Sequence, residues 1–169
     1  MTLKPLANAG LFQLGWFAAV YSPQVPALLI VPVLVAVVHL LWLGRGEWKV
    51  LAAITLLGSV CDSLLMHAGV FAFAEPRLVI PLWLVLMWTL LATTLRHCLA
   101  WTATPWWLAS VLGAVAAPLS YYAGARLAGV GLPLGVWPTL LILAVLWAAL
   151  FPLLQRLSVE LKPGRGHSL

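Results

Sequence analysis

Asp62 is the residue whose chemistry most needs explaining. It stands in Ser59-Val60-Cys61-Asp62-Ser63, inside a long apolar run. A carboxyl group at the centre of a bilayer costs about 2.5–3.5 kcal/mol on insertion scales, so it belongs against a bundle interior or a wet cavity. There it could accept a proton, hold a cation, act as a general acid or base, or simply pin helices together as a hydrogen-bonded acid. His67 lies five residues on, about 140° around a helix, so the two form no same-face dyad. Counting helix rise from one membrane face puts Gln13 at about 13 Å and Trp16 at about 18 Å. The same count puts Asp62 at about 18–20 Å and Ser120 and Tyr121 at about 21–24 Å. Polar groups at one depth in hydrocarbon must satisfy one another. Gln13, Trp16, Asp62, Ser120 and Tyr121 therefore form a candidate polar layer, which requires the first, third and fifth helices to meet. His67, Trp88 and Arg126 are secondary candidates. Arg126 falls about 10 Å further out than Asp62, which makes a direct bridge strained.

Other chemistries find little support. Ser63, Ser110 and Ser120 have no neighbouring His–acid partner, and no G-x-S-x-G elbow is present. The chain has no CxxC, no HExxH, no paired Cys/His metal spacing and no Gly-rich phosphate loop. Neither a metal nor a cofactor is expected. His39 and His97 read as wetted interfacial residues, and Glu75 and Arg77 as a solvated loop. Cys61 and Cys98 fall at different depths, too far apart for a disulfide.

The elements that must hold these residues are apolar runs. Of 169 residues, 64% are hydrophobic and 8% charged. A soluble domain of this size needs a larger polar exterior. Six runs can be traced: Leu6–Tyr21, Pro26–Leu43, Val50–Ala74, Leu78–Leu95, Trp106–Ala128 and Leu134–Leu157. About 20 apolar residues cross about 30 Å of hydrocarbon. Five runs reach about 18 or more, and the first borrows Lys4 and Pro5. The expected fold is all-α: a polytopic six-transmembrane-helix bundle with short loops, as one domain over residues 1–169. A disordered cytoplasmic tail is expected from about residue 162, in Pro163-Gly164-Arg165-Gly166. The N-terminal stretch lacks a small-x-small cleavage pattern and reads as a retained first helix.

The net charge of +5 is explained by topology. Lys4, Arg45, Lys49, Arg96, Arg156, Lys162 and Arg165 fall on one side of a six-crossing chain, and Arg77 and Arg126 on the other. The positive-inside rule then places both termini of this multi-pass chain in the cytoplasm. Nucleic acid is not an expected partner, because no soluble fold lies beneath these charges.

The ten tryptophans divide by depth. Trp42, Trp48, Trp101, Trp106 and Trp107 fall at the basic interface and Trp83 and Trp137 at the other, where indoles anchor. Trp16, Trp88 and Trp147 fall nearer mid-depth and need an acceptor inside the bundle. In the fifth run Ser110, Ala114, Ala117, Tyr121, Gly124 and Ala128 recur at spacings of three and four. This stripe of mostly small residues allows close helix approach, and Pro118 predicts a kink.

Several stretches together resemble a known family. They are Phe12-Gln13-Leu14-Gly15-Trp16-Phe17, then Asp62-Ser63-x-Leu65 with Gly69 and Phe71. Pro81-x-Trp83 follows, with Trp88, Thr93-x-Leu95 and Trp101, and last Gly113 with Pro118-Leu119-Ser120-Tyr121-x-x-Gly124. The chain resembles a family of small bacterial inner-membrane proteins known only as a domain of unknown function. Ala117 stands where that family usually has Gly. The resemblance implies a multi-helix membrane protein and a leaning toward lipids, and supplies no established activity. The first functional expectation is therefore an inner-membrane protein that binds or helps process a lipid-like or isoprenoid molecule in a mid-membrane polar pocket, as an accessory or partner subunit to another membrane protein. The alternatives are a small proton-coupled transporter using Asp62, and a membrane-embedded enzyme using Asp62 with His67 or Tyr121.

Overall fold

Prolines, glycines and side-chain hydrogen bonds decide where the apolar runs stop being helical. The computed structural model describes residues 3–161, so the expected tail from about residue 162 lies outside the described residues. Among the described residues six α-helices are present: α1 Leu3–Tyr21, α2 Ile30–Val38, α3 Trp48–His67, α4 Leu82–Ala92, α5 Trp106–Ala128 and α6 Val136–Glu160. A 3-10 turn, Pro26–Leu29, leads into α2, and a π-helical turn, His39–Leu43, closes it. No strand occurs among the described residues; one isolated bridge pairs Ala72 with Gly131.

Among the described residues four helical segments are long and apolar enough to cross a membrane: Pro26–Leu43, Trp48–His67, Trp106–Ala128 and Val136–Glu160. The expectation of six spans is met only in part. α1 has 19 residues but carries Lys4, Asn8 and Gln13. α4 has 11 residues, about 16 Å of helix, instead of the expected run Leu78–Leu95. Pro81 sets its start. At its end Thr93 and Thr94 donate hydroxyls to the carbonyls of Leu90 and Leu91, each at 2.6 Å, competing with continued helix. The third run is also shorter than expected. α3 stops at His67, and Gly69 adopts a left-handed φ of 75° that other residues rarely take. The connection to α4 is thus 68–81, longer than the expected three-residue loop.

The segment 93–105, which keeps only a 3-10 turn at Ala100–Ala103, exposes backbone groups that hydrocarbon cannot satisfy. Two buried side chains meet them. Asn8 Nδ2 donates to the Thr93 carbonyl at 3.0 Å while its Oδ1 accepts from the Cys98 N–H at 3.3 Å. Gln155 Nε2 donates to the Leu99 carbonyl at 3.0 Å and to Thr102 Oγ1 at 2.7 Å. These contacts bring the start of α1 and the end of α6 to one end of the bundle. At the opposite end Gln24 donates to the Leu127 carbonyl and Ala72 pairs with Gly131.

α5 packs along α6, α3 along α4, and α1 against α2, α4 and α5. The close approach of α5 is centred on Gly113. A Cβ there would strike the Trp147 carbonyl and Phe151, so only glycine fits. The expected stripe is met in part: Gly124 is buried and its other members, Ser110, Ala114, Ala117, Tyr121 and Ala128, are half-buried, while Ala109, Gly113 and Ala125 beside it are buried. α5 continues as helix through Pro118. On the outside, Leu56, Val60 and Leu64 of α3 and Val111, Val115 and Leu119 of α5 are exposed at four-residue spacing. Rows of bare aliphatic residues suit lipid contact rather than water.

Candidate functional site

Asp62 is fully buried, at 0% exposure. Tyr121 Oη donates to its Oδ1 and Trp88 Nε1 to its Oδ2, each at 2.7 Å. The carboxyl group therefore ties α3 to α4 and α5 at once. Gly58, one turn before Asp62, makes the Trp88 contact possible, because a Cβ at that position would overlap the indole. Trp88 in turn stacks on Trp147, with ring centroids 5.2 Å apart and planes 9° from parallel. Tyr121 meets Trp147 edge-on at 6.0 Å and leans on Phe71 at 6.2 Å. One acidic side chain thus fixes an aromatic wall.

That wall borders a cavity of about 320 Å³ between α1, α4, α5 and α6. Its lining is almost wholly apolar, including Met87, Leu112, Leu143 and Phe151. Polar atoms are few. Trp16 Nε1 donates to Ser120 Oγ at 3.1 Å, and both residues line the cavity, as does Thr139. Trp147 Nε1 is buried on the side of Tyr121. Asp62 does not line the cavity; Trp88 and Tyr121 stand between it and the space.

The expected polar layer resolves into two separate pairs. Asp62 meets Tyr121, and Trp16 meets Ser120, but α1 does not reach Asp62. Gln13 is exposed on the outer face of α1. Helix rise gives no direction around the helix, and Gln13 faces outward, away from Asp62 and its partners. Trp88, a secondary candidate, is a direct partner of Asp62, because the short α4 and not α1 is the neighbour of α3. His67 is exposed and bonds to the Leu78 carbonyl at 2.9 Å, away from Asp62. Arg126 is exposed and forms no ion pair with Asp62. Of the tryptophans read as interfacial, Trp83 lines the cavity, while Trp42, Trp48, Trp101, Trp106, Trp107 and Trp137 are exposed.

A second polar cluster lies at the basic end. Glu47, in the link between α2 and α3, is 6% exposed, and His39 is 1% exposed rather than wetted as expected. Glu47 Oε2 lies 3.1 Å from His39 Nε2 and 3.1 Å from His97 Nε2. Its Oε1 lies 3.3 Å from Arg96 Nη1. Burial pushes the Glu47 carboxyl up, but hydrogen bonds from His39 and His97 and the charges at His97 and Arg96 outweigh it and hold the group at about 2. The eight-residue spacing of His39 and Glu47 around the glycine turn Gly44–Gly46 was the available signal in the sequence. His97 joins them only through the fold.

Apolar outer faces around a sparsely polar, cavity-bearing interior define the class: an all-helical protein whose four apolar helices are consistent with integral, multi-pass membrane embedding. Residues 5–153 match the family model described as "Protein of unknown function (DUF2878)", and the chain belongs to that family. No curated protein and no solved structure matches it.

Proposed function

We propose that this chain binds a lipid-like or isoprenoid molecule in the cavity between α1, α4, α5 and α6. The observation that carries this reading is the cavity itself: about 320 Å³, lined by aromatic and aliphatic side chains, with very few polar atoms. Such a site favours a hydrocarbon chain, and its few fixed polar groups orient one end of it. The Trp16–Ser120 pair, which lines the cavity, offers a polar point for a ligand oxygen. In this reading Asp62 is a positioning residue. It holds Trp88 and Tyr121 as walls and does not itself meet the ligand. The transporter and enzyme alternatives need Asp62 to meet a proton path or a substrate. Both of its oxygens already accept from protein donors, which favours binding over either alternative.

The protein would act in a bacterial inner membrane with its basic end in the cytoplasm, as the sorting of Lys4, Arg45, Lys49, Arg96 and Arg156 supports. The test uses purified protein in detergent with two probes, a tritiated C18 monounsaturated fatty acid and tritiated geranylgeraniol. Wild type should retain one of them at near one equivalent. Ala117→Trp fills the cavity and should cut retention at least about tenfold. Val145→Trp, on the exposed face of α6, should leave it unchanged. Retention of neither probe, or equal retention by a folded Ala117→Trp protein, overturns the reading.

A further inference from the structure

The geometry points to a divalent transition-metal site at the basic end of the bundle, formed by His39 Nε2, Glu47 Oε2 and His97 Nε2. The three donor atoms lie within 4.8 Å of one another. Both nitrogen–oxygen separations are 3.1 Å. In a tetrahedral site with bonds of about 2.0–2.1 Å, neighbouring donors stand about 3.3 Å apart, so both nitrogen–oxygen pairs already fit and the two imidazoles close on an ion by up to about 1.5 Å. The two imidazoles meet at 86° with centroids 4.8 Å apart, which lets their Nε2 atoms approach Oε2 from different directions.

The surroundings fit a built site. The ligands come from the turn after α2, the link before α3 and the turn after α4, so an ion would clamp three elements at one point. Arg96 stands by the far carboxylate oxygen, leaving Oε2 for the imidazoles. Gly44 closes the cluster with bare backbone. A Cβ there would collide with His39 Nε2 and Glu47 Oε2, so the position needs glycine to leave these atoms in place. Two imidazoles and one carboxylate suit Zn²⁺ best among common ions and disfavour Ca²⁺ and Mg²⁺, which take oxygen ligands. Three protein ligands leave the fourth position to an exogenous ligand such as water.

This site is independent of the cavity and is tested without any lipid. Protein purified with a histidine-free tag is stripped with EDTA and titrated with Zn²⁺ and, separately, Co²⁺. Wild type should take up one equivalent, show the visible d–d absorption of tetrahedral Co²⁺, and melt at higher temperature with Zn²⁺. Second-sphere groups alone change metal affinity 10–100-fold, so loss of a ligand in His97→Ala should weaken binding about 100-fold or more. Glu47→Gln should do the same. His67→Ala, at the far end of the bundle, should bind as wild type does. Because Glu47→Gln disturbs a buried cluster, the wild-type Co²⁺ spectrum is read first and stands without any variant. Absence of uptake and of that spectrum in the folded wild type overturns the site and leaves a hydrogen-bonded His–Glu–His cluster. Uptake that survives both His97→Ala and Glu47→Gln overturns it equally.

Discussion

Removing the Asp62 carboxyl group should destabilise the bundle more than any isosteric change at that position. Asp62→Leu keeps the approximate volume but deletes the acceptor for two donors, Trp88 Nε1 and Tyr121 Oη, each now at 2.7 Å. Trp88 is 3% exposed. Each buried donor left unsatisfied costs about 1–3 kcal/mol, so the pair sets a scale of about 2–6 kcal/mol before any gain from the added methyl groups. Asp62→Asn keeps one carbonyl oxygen but turns an NH₂ group toward the second donor, so about half that loss is expected, about 1–3 kcal/mol. The assay is reversible unfolding in mixed micelles, followed by tryptophan fluorescence. A double-mutant cycle identifies the cause. In a Trp88→Phe background one donor is already gone, so Asp62→Leu should cost about 1–3 kcal/mol less than in wild type. The reasoning is refuted if Asp62→Leu costs under about 0.5 kcal/mol, or if its effect adds independently to that of Trp88→Phe.

Gly58→Ala should displace the Trp88 indole and cost about 1–3 kcal/mol by the same unfolding assay, because the added Cβ overlaps the ring; an unchanged melting profile would show that the ring can yield freely. Asn8→Ala should orphan the Thr93 carbonyl and the Cys98 N–H, destabilising the chain by about 1–3 kcal/mol, whereas Asn8→Asp should be worse, since it sets a carboxylate against that carbonyl. Alkaline phosphatase inserted in the 129–135 link, at the end opposite the basic residues, should be active in the periplasm, and the same reporter in the 44–46 turn should be silent; the reverse pattern would invert the proposed orientation.

The sequence by itself determined the class of fold. Apolar runs of spanning length leave helix as the only way to satisfy every backbone group in hydrocarbon, and the runs Pro26–Leu43 and Trp106–Ala128 are reproduced to the residue. It also singled out Asp62 and its link to Tyr121, because depth along a helix follows from rise per residue and a lone carboxyl group at that depth must find donors. Depth is one coordinate only. The direction a side chain faces depends on which helices are neighbours, and hydropathy is silent about that. Gln13 therefore turned outward, and Trp88 rather than α1 closed the second side of Asp62. The shortness of α4 was hidden for a related reason. Thr93 and Thr94 sit in an apolar run that hydropathy reads as continuous, but their hydroxyls, with Asn8 85 residues away, make it better for the chain to unwind there. The cluster of His39, Glu47 and His97 is completed only by tertiary structure: His39 and Glu47 are eight residues apart around a glycine turn, but His97 lies 50 residues beyond Glu47, and only the antiparallel return of α4 to the link before α3 brings it to them.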